Sequence, residues 1–291
     1  MNILVTGSKG QLGNELQKIA GTDRRHHWYF TDVEELNITQ NDAVQGFFEI
    51  HEIEVCINCA AYTAVDKAED EPVLADRINA VAVGVLADAC KKNNALFIHI
   101  STDYVFDGEN YKPYEESEPI SAISSYGKSK ARGEAILMGH GCHSVILRTS
   151  WLYAASGNNF VKTMMRLGKE RPELNVVADQ IGTPTWAFDL AWAIVLIVDR
   201  YKGDFVKEIY HFSNEGAISW YDFSKTIMEL CMLDCKINPI PSSAYPVKTK
   251  RPFYSVLSKE KFKKNYQVQI PYWKDSLKKC LDELNGQEQA K

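Results

Sequence analysis

The chain has 291 residues, 45% of them hydrophobic, enough for one large domain or two lobes around a sizeable core. A net charge of −5 argues against a general nucleic-acid binder and against adhesion to anionic membranes. No apolar run approaches the roughly 20 residues of a membrane span, and a first strand starting at Asn2 leaves no room for a signal peptide, so a cytoplasmic location is expected. The seven cysteines, an odd number scattered along the chain, do not resemble a disulfide framework.

Asn2–Thr6 is a short apolar, β-rich run, and Gly7-Ser-Lys-Gly10-Gln-Leu-Gly13 separates it from a helical pattern beginning near Glu15. Strand, glycine turn and helix in that order form a dinucleotide-binding opening. Gly7 serves the tight turn, Gly10 the approach of a pyrophosphate, and Gly13 the close packing of helix on strand. The helix N-terminus then faces the phosphates. A second strand at Trp28–Thr31 ends in Asp32, about 20 residues past the glycines, where an acidic side chain commonly meets an adenosine ribose. A strand-end aspartate capping the next turn fits the same position equally well. Leu36–Thr39 is expected beside the adenine and leads into a helix at Asp42–Ile50.

Val55–Ala61 and Ala95–Ile100 read as buried strands, separated by a long helical pattern from Pro72 to Lys92. Cys56 and Cys59 have a CxxC spacing, but residues three apart on a strand face opposite ways, so a metal or redox pair is not expected. Cys231 and Cys235, one helical turn apart, read as core. Asn79, a poor helix former inside the long pattern, is expected to bridge to a neighbouring strand or helix.

Thr102 follows the apolar run of the fourth strand, so its hydroxyl lies just past a carboxyl end, where ligands bind in open α/β sheets. Tyr126 and Lys130 are four residues apart, on one face of a helix that starts at Tyr126. A nearby ammonium eases proton release from a phenol, which makes Tyr126 a general acid tuned by Lys130. A fifth strand, Ser144–Thr149, carries Trp151 just past its end, where an indole stacks on a sugar, walls off solvent or packs as core.

Beyond Trp151 the alternation weakens. A helix to Lys169, a short strand Asn175–Ala178, a turn-rich loop 179–185, a helix Trp186–Tyr201 and a strand Glu208–Phe212 are expected. Then come a helix Tyr221–Leu233, a Pro-rich stretch from Asn238 to Pro252 holding Lys248, Lys250 and Arg251, a helix Tyr272–Leu284, and a frayed tail from Gly286. The basic trio suits a diphosphate and is equally a solvated charge run. The expected fold is a Rossmann-type, doubly wound parallel α/β sheet with a smaller α/β substrate lobe. Residues 1–150 plus 186–213 form the dinucleotide-binding part, and 151–185 plus 214–291 the substrate part.

Together, Gly7-x-x-Gly10-x-x-Gly13, Ser101-Thr102 and Tyr126-x-x-x-Lys130 resemble the extended short-chain dehydrogenase/reductases. Gly10–Gln17, Asn58–Glu69, Ser101–Gly108, Arg148–Tyr153, Gly157–Phe160 and, in the other lobe, Ser243–Pro246 with Arg251-Pro252 are similar to the dTDP-4-dehydrorhamnose reductase family within them. The resemblance implies NADPH- or NADH-dependent reduction of the C4 ketone of dTDP-4-dehydro-β-L-rhamnose, a step feeding bacterial surface polysaccharide. It implies Tyr126 as proton donor, Thr102 as a hydrogen-bond partner of the same oxygen, and Lys130 on the nicotinamide ribose. It places Gly10, Gln11, Leu12, Asp32, Asn37, Ile38, Ala61, Tyr62 and Thr63 at the cofactor, and Asp103, Tyr104 and Trp151 at the sugar; Arg251 joins these as a substrate residue. Tyr254 stands where many relatives carry Asn, and Asn37 where Asp is common. Some members bind a divalent cation at a dimer contact, and Glu15 matches one such position. It is read here as surface helix; no Mg2+ is assigned, and a homodimer stays open. A sugar-nucleotide 4,6-dehydratase would need a second acid beside the threonine, where this chain has Asp103-Tyr104. The same residues are also compatible with a different sugar-nucleotide reductase or epimerase, and with an NADP-binding regulatory subunit resembling the methionine adenosyltransferase β subunit.

Overall fold

A computed structural model describes residues 1–203, 206–245 and 247–289. Six parallel strands form the central sheet: β1 (Asn2–Thr6), β2 (His27–Thr31), β3 (Val55–Asn58), β4 (Leu96–Thr102), β5 (Ser144–Thr149) and β6 (Lys207–His211). Their spatial order is β2-β1-β3-β4-β5-β6. The chain steps outward from β1 to β2 and returns across β1 to β3, so a crevice opens at the carboxyl ends of β1 and β3.

Both faces of the sheet are covered, which is why its strands read as nearly unbroken apolar runs. Ile3, Val5, Ile57 and Ile98 face the helices Gln11–Thr22 and Ala187–Arg200. Their neighbours Leu4, Cys56 and Phe97 face Asn41–His51 and Ala82–Lys92. Each fully buried aliphatic side chain contributes about 1.5–3 kcal/mol. The alternation also puts Cys56 in the core and Cys59 on the cleft side; both thiols are free.

Several expected elements are redrawn. The third strand ends at Asn58, three residues early, because the chain turns there past Gly7. The long pattern is helical from Pro72 to Lys92 but contains a π-turn, Arg77–Val81, which holds Asn79. The Pro-rich stretch begins as a strand: Lys236–Ile240 pairs in parallel with Glu173–Val177. Pro239 is tolerated because a two-stranded ribbon consists of edges. Pro246 lies outside the described residues. The last helix runs Trp273–Gln289, so residues 286–289 are helical where a frayed tail was expected. Gly286 alone costs only about 1 kcal/mol against a run of good helix formers.

The helices Phe160–Glu170, Trp220–Leu230 and Trp273–Gln289 enclose a separate core containing Val161, Met165, Phe223, Ile227 and Leu277. Residues 260–266, expected with that lobe, return to the main sheet, where Phe262 and Tyr266 pack with Tyr210. Glu15 is not a surface residue: it is fully buried and accepts from Lys18, which also pairs with Glu283 of the last helix. Among the described residues no helix is long and apolar enough to cross a membrane.

Candidate active site

A cavity of about 850 Å³ occupies the crevice at the strand ends. Its floor is the glycine turn. Gly7 has φ +67°, and a Cβ there would come within 2.6 Å of Ala60 N, so both the conformation and the close passage of the next loop require glycine. Gly10 N donates to Gly7 O at 3.1 Å and begins the helix Gln11–Thr22, whose first amides have no side-chain cap. Gly7, Gly10, Gln11, Leu12 and Gly13 line this end, with Asp32, Asn37 and Ile38 further out and Ala61 and Thr63 opposite. Asp32 caps its turn, accepting from Lys9 N at 3.1 Å and Val33 N at 2.8 Å, while also lining the cavity.

Tyr62 is placed differently. Its backbone N–H and C=O are both held by the Asn79 amide, and its phenol donates to Glu71 at 2.6 Å, off the cavity wall. Asn79 makes the expected bridge, its Nδ2 also donating to Ser129 on the helix Ser125–Gly139. That helix packs tightly: a Cβ at Gly133 would lie 2.1 Å from Asn79 O. Ser124 caps its N-terminus by accepting from Gly127 N, and Glu134 grips buried Arg148 of β5 through three N–H···O bonds. The helix that carries Tyr126 is thus fixed from three sides.

That neighbourhood places Tyr126, Lys130, Thr102 and Asp103 on one wall. Thr102 Oγ1 donates to Asp103 Oδ1 at 2.8 Å and accepts from Tyr104 N at 3.2 Å. Burial pushes the Asp103 carboxyl up to about 6. Burial also raises the Tyr126 phenol well above its usual value, opposed by a hydrogen bond with Thr102. Tyr126 is therefore protonated at neutral pH, as a proton donor must be.

The Lys130 ammonium is anchored on β4. Lys130 Nζ donates to Ile100 O at 2.6 Å and lies 3.4 Å from His99 Nε2, because the β4 strand end offers a buried carbonyl closer to hand. Burial brings its ammonium down to about 8, with Glu134 pulling the other way.

The opposite wall comes from the other lobe. Trp151, at φ +47°, stacks on Trp220 with ring centroids 3.5 Å apart. Arg251 reaches the cavity, donating to Tyr104 Oη at 3.2 Å and Asp66 at 2.8 Å. Of the basic trio it alone lines the cavity: Lys248 pairs with Asp70 and Lys250 with Glu109, both on the exposed surface. Asn159 Nδ2 donates to Gln11 Oε1 at 2.9 Å, linking the lobes.

A family model described as the RmlD substrate binding domain matches residues 1–285. The dTDP-4-dehydrorhamnose reductase of Aggregatibacter actinomycetemcomitans is 41% identical over 95% of this chain and 97% of its own. The chain belongs to the dTDP-4-dehydrorhamnose reductase family. A solved reductase of this family from Clostridium acetobutylicum is 42% identical and superposes with a TM-score of 0.93, covering 98% of this chain and 100% of that one. Another, from Bacillus anthracis in complex with NADP, is 38% identical with a TM-score of 0.91 over 97% and 99% of the two chains.

The cavity fits a dinucleotide such as the NADP held by the Bacillus anthracis reductase. It combines free helix N-terminal amides, a glycine floor and buried hydroxyls of Ser101 and Thr149 that have no protein partner. Trp220 and Arg77, both on the wall, carried no signal in sequence: each is an ordinary helical residue brought in by packing alone.

Proposed function

We propose that this chain reduces the C4 ketone of dTDP-4-dehydro-β-L-rhamnose to dTDP-β-L-rhamnose with NADPH or NADH, in the cytoplasm, as a step in bacterial surface polysaccharide synthesis. The observation that carries it is the meeting of Tyr126 and Thr102 on the same cavity as the glycine turn. Bound there, the reduced nicotinamide would supply the hydride. Gly7, Gly10, Gln11, Leu12 and Gly13 would hold the dinucleotide phosphates, Asp32, Asn37 and Ile38 the adenosine, and Ala61 and Thr63 the loop side. The Tyr62 backbone, pinned by Asn79, would set the course of that loop.

Tyr126 then gives its phenolic proton to the oxygen that becomes the C4 hydroxyl. Thr102 holds the same oxygen, turning its proton from Asp103 toward the ligand. Lys130 would hold the nicotinamide ribose and return a proton to Tyr126. Asp103, Tyr104 and Trp151 would contact the sugar, and Arg251 the diphosphate. On this reading residues 1–150 plus 186–213 serve the cofactor and 151–185 plus 214–291 the sugar nucleotide, with residues 260–270 returning to the first unit.

The test follows NADPH and NADH oxidation with dTDP-4-dehydrorhamnose and with an unrelated ketosugar nucleotide. Oxidation with the first and not the second is expected. Absence of oxidation with both, or turnover without net consumption of dinucleotide, would sink the proposal.

A further inference from the structure

Beneath the cavity a chain of buried side chains crosses three adjacent strands. Thr6 Oγ1 of β1 lies 2.7 Å from Asn58 Oδ1 of β3, Asn58 Nδ2 lies 3.1 Å from His99 Nδ1 of β4, and His99 Nε2 lies 3.4 Å from Lys130 Nζ. Thr6, Asn58, His99 and Lys130 are all at most 2% exposed. The in-register pairing of Thr6 with Asn58 and of Asn58 with His99 aligns the first two links.

The chain can be satisfied in two directions. With Lys130 as ammonium, it donates to His99 Nε2; His99 Nδ1–H donates to the Asn58 oxygen, the amide being turned over; and the amide nitrogen donates to Thr6. With Lys130 as neutral amine, every link reverses: Thr6 donates to Asn58, Asn58 to His99 Nδ1, and His99 Nε2–H to the lysine lone pair. The side chains keep their places in both: the Asn58 amide exchanges its nitrogen and oxygen by rotation, and the change of His99 tautomer releases a proton to solvent from one ring nitrogen and takes one up at the other. Ile100 O accepts from Lys130 in either form.

We propose that His99 is a positioning residue for the reduction, one that holds Lys130 in place both before and after it hands a proton to Tyr126. This rests on the proposed reduction, in which the phenolic proton goes to the substrate oxygen and an ammonium proton replaces it on the phenol, leaving a neutral amine. A neutral imidazole is required, and burial together with the Lys130 charge keeps His99 well below its usual value. The other titratable groups facing Lys130 are Cys59 past the end of β3, Glu134 one turn along its own helix, itself paired with Arg148, and Tyr126 one turn back.

Two measurements test the assignment. In the wild-type chain without ligands, ¹⁵N NMR of selectively labelled histidine, with the His99 signals assigned by their loss in His99→Gln, should show the imidazole switch from Nδ1–H to Nε2–H. The ¹³Cε signal of Lys130, assigned with Lys130→Arg, should report deprotonation over the same pH interval. A His99 tautomer that stays constant while Lys130 titrates would overturn the proposal, and this arm is independent of turnover. In His99→Leu, the ammonium loses a charge-assisted acceptor. The alkaline limb of kcat should therefore move about half a unit or more to lower pH, with turnover down at least about twofold at pH 8. His99→Gln, whose amide turns either way, should restore the limb. A folded His99→Leu chain whose alkaline limb matches wild type would also overturn it. A wild-type chain that does not oxidise NADPH with the ketosugar would instead remove the proposed function and leave the NMR result standing.

Discussion

The two walls of the cavity are built on different principles. The wall of Thr102, Tyr126 and Lys130 rises from strand ends and one helix, and its side chains are buried: Lys130 at 2% exposed, Asp103 at 3%, Thr102 at 5%. The opposite wall consists of Trp151 just beyond a strand, Trp220 at the start of a helix and Arg251 on a loop, tied to the first lobe through Asp66, Tyr104 and Asn159–Gln11. The first wall is positioned by strand pairing and by a helix that Asn79 and Arg148 hold in place. The second depends on how two lobes meet, so its perturbations are expected in binding more than in chemistry.

The sharpest way to break this contrast is Tyr126→Phe. It should lower kcat by about 10²–10⁴ while leaving dinucleotide affinity, measured by fluorescence titration, nearly unchanged. A near-wild-type rate would refute the proton-donor role. Arg148→Met attacks the support of the same wall: it leaves Glu134 buried and unpaired, and unfolding by denaturant should show a loss of about 3–5 kcal/mol.

On the opposite wall, Trp151→Ala should raise KM for the sugar nucleotide by roughly tenfold with a smaller change in kcat, as removal of uniform binding predicts. Trp220→Ala should follow it in direction, because it removes the ring on which Trp151 stacks. Unchanged KM in both would mean that the stack is only core.

The smallest effect concerns Asp103. Its folded value of about 6 lies above the ordinary 3.8, so the folded chain binds the proton more tightly than the unfolded one. That contribution is fully present below pH 3.8 and is lost as pH rises through about 6. Asp103→Asn should therefore show a flatter decline of unfolding free energy between pH 4 and 6 than wild type. Parallel curves would show that burial does not perturb this carboxyl.

Much of the wall formed by Thr102, Tyr126 and Lys130 was legible in the sequence because its signals are local. Glycine spacing after an apolar run, a hydroxyl at a strand end and a phenol four residues before a lysine each encode geometry within a few residues. The partner of Lys130 was not legible. Helical spacing says that Tyr126 and Lys130 share a face, but a buried ammonium takes whichever acceptor lies nearest, and Ile100 O belongs to another element. Glu15 misled for the same reason: its neighbours within the helix suggest surface, and the last helix, some 270 residues later, covers it. Arg251 and the two lysines beside it look alike as a charge run, and only packing distinguishes the one that turns inward.

By itself the sequence determined the parallel α/β sheet and the glycine turn, and it singled out Thr102, Tyr126 and Lys130, which line one cavity. Hydrophobic periodicity and glycine placement act over one or two turns of chain, which is enough to specify each of these. Only the tertiary structure decided which polar groups are left without water and must find partners across strands, as Thr6, Asn58, His99 and Lys130 do. Burial is a property of the whole packed chain, and it determines which charges are held, moved or paired.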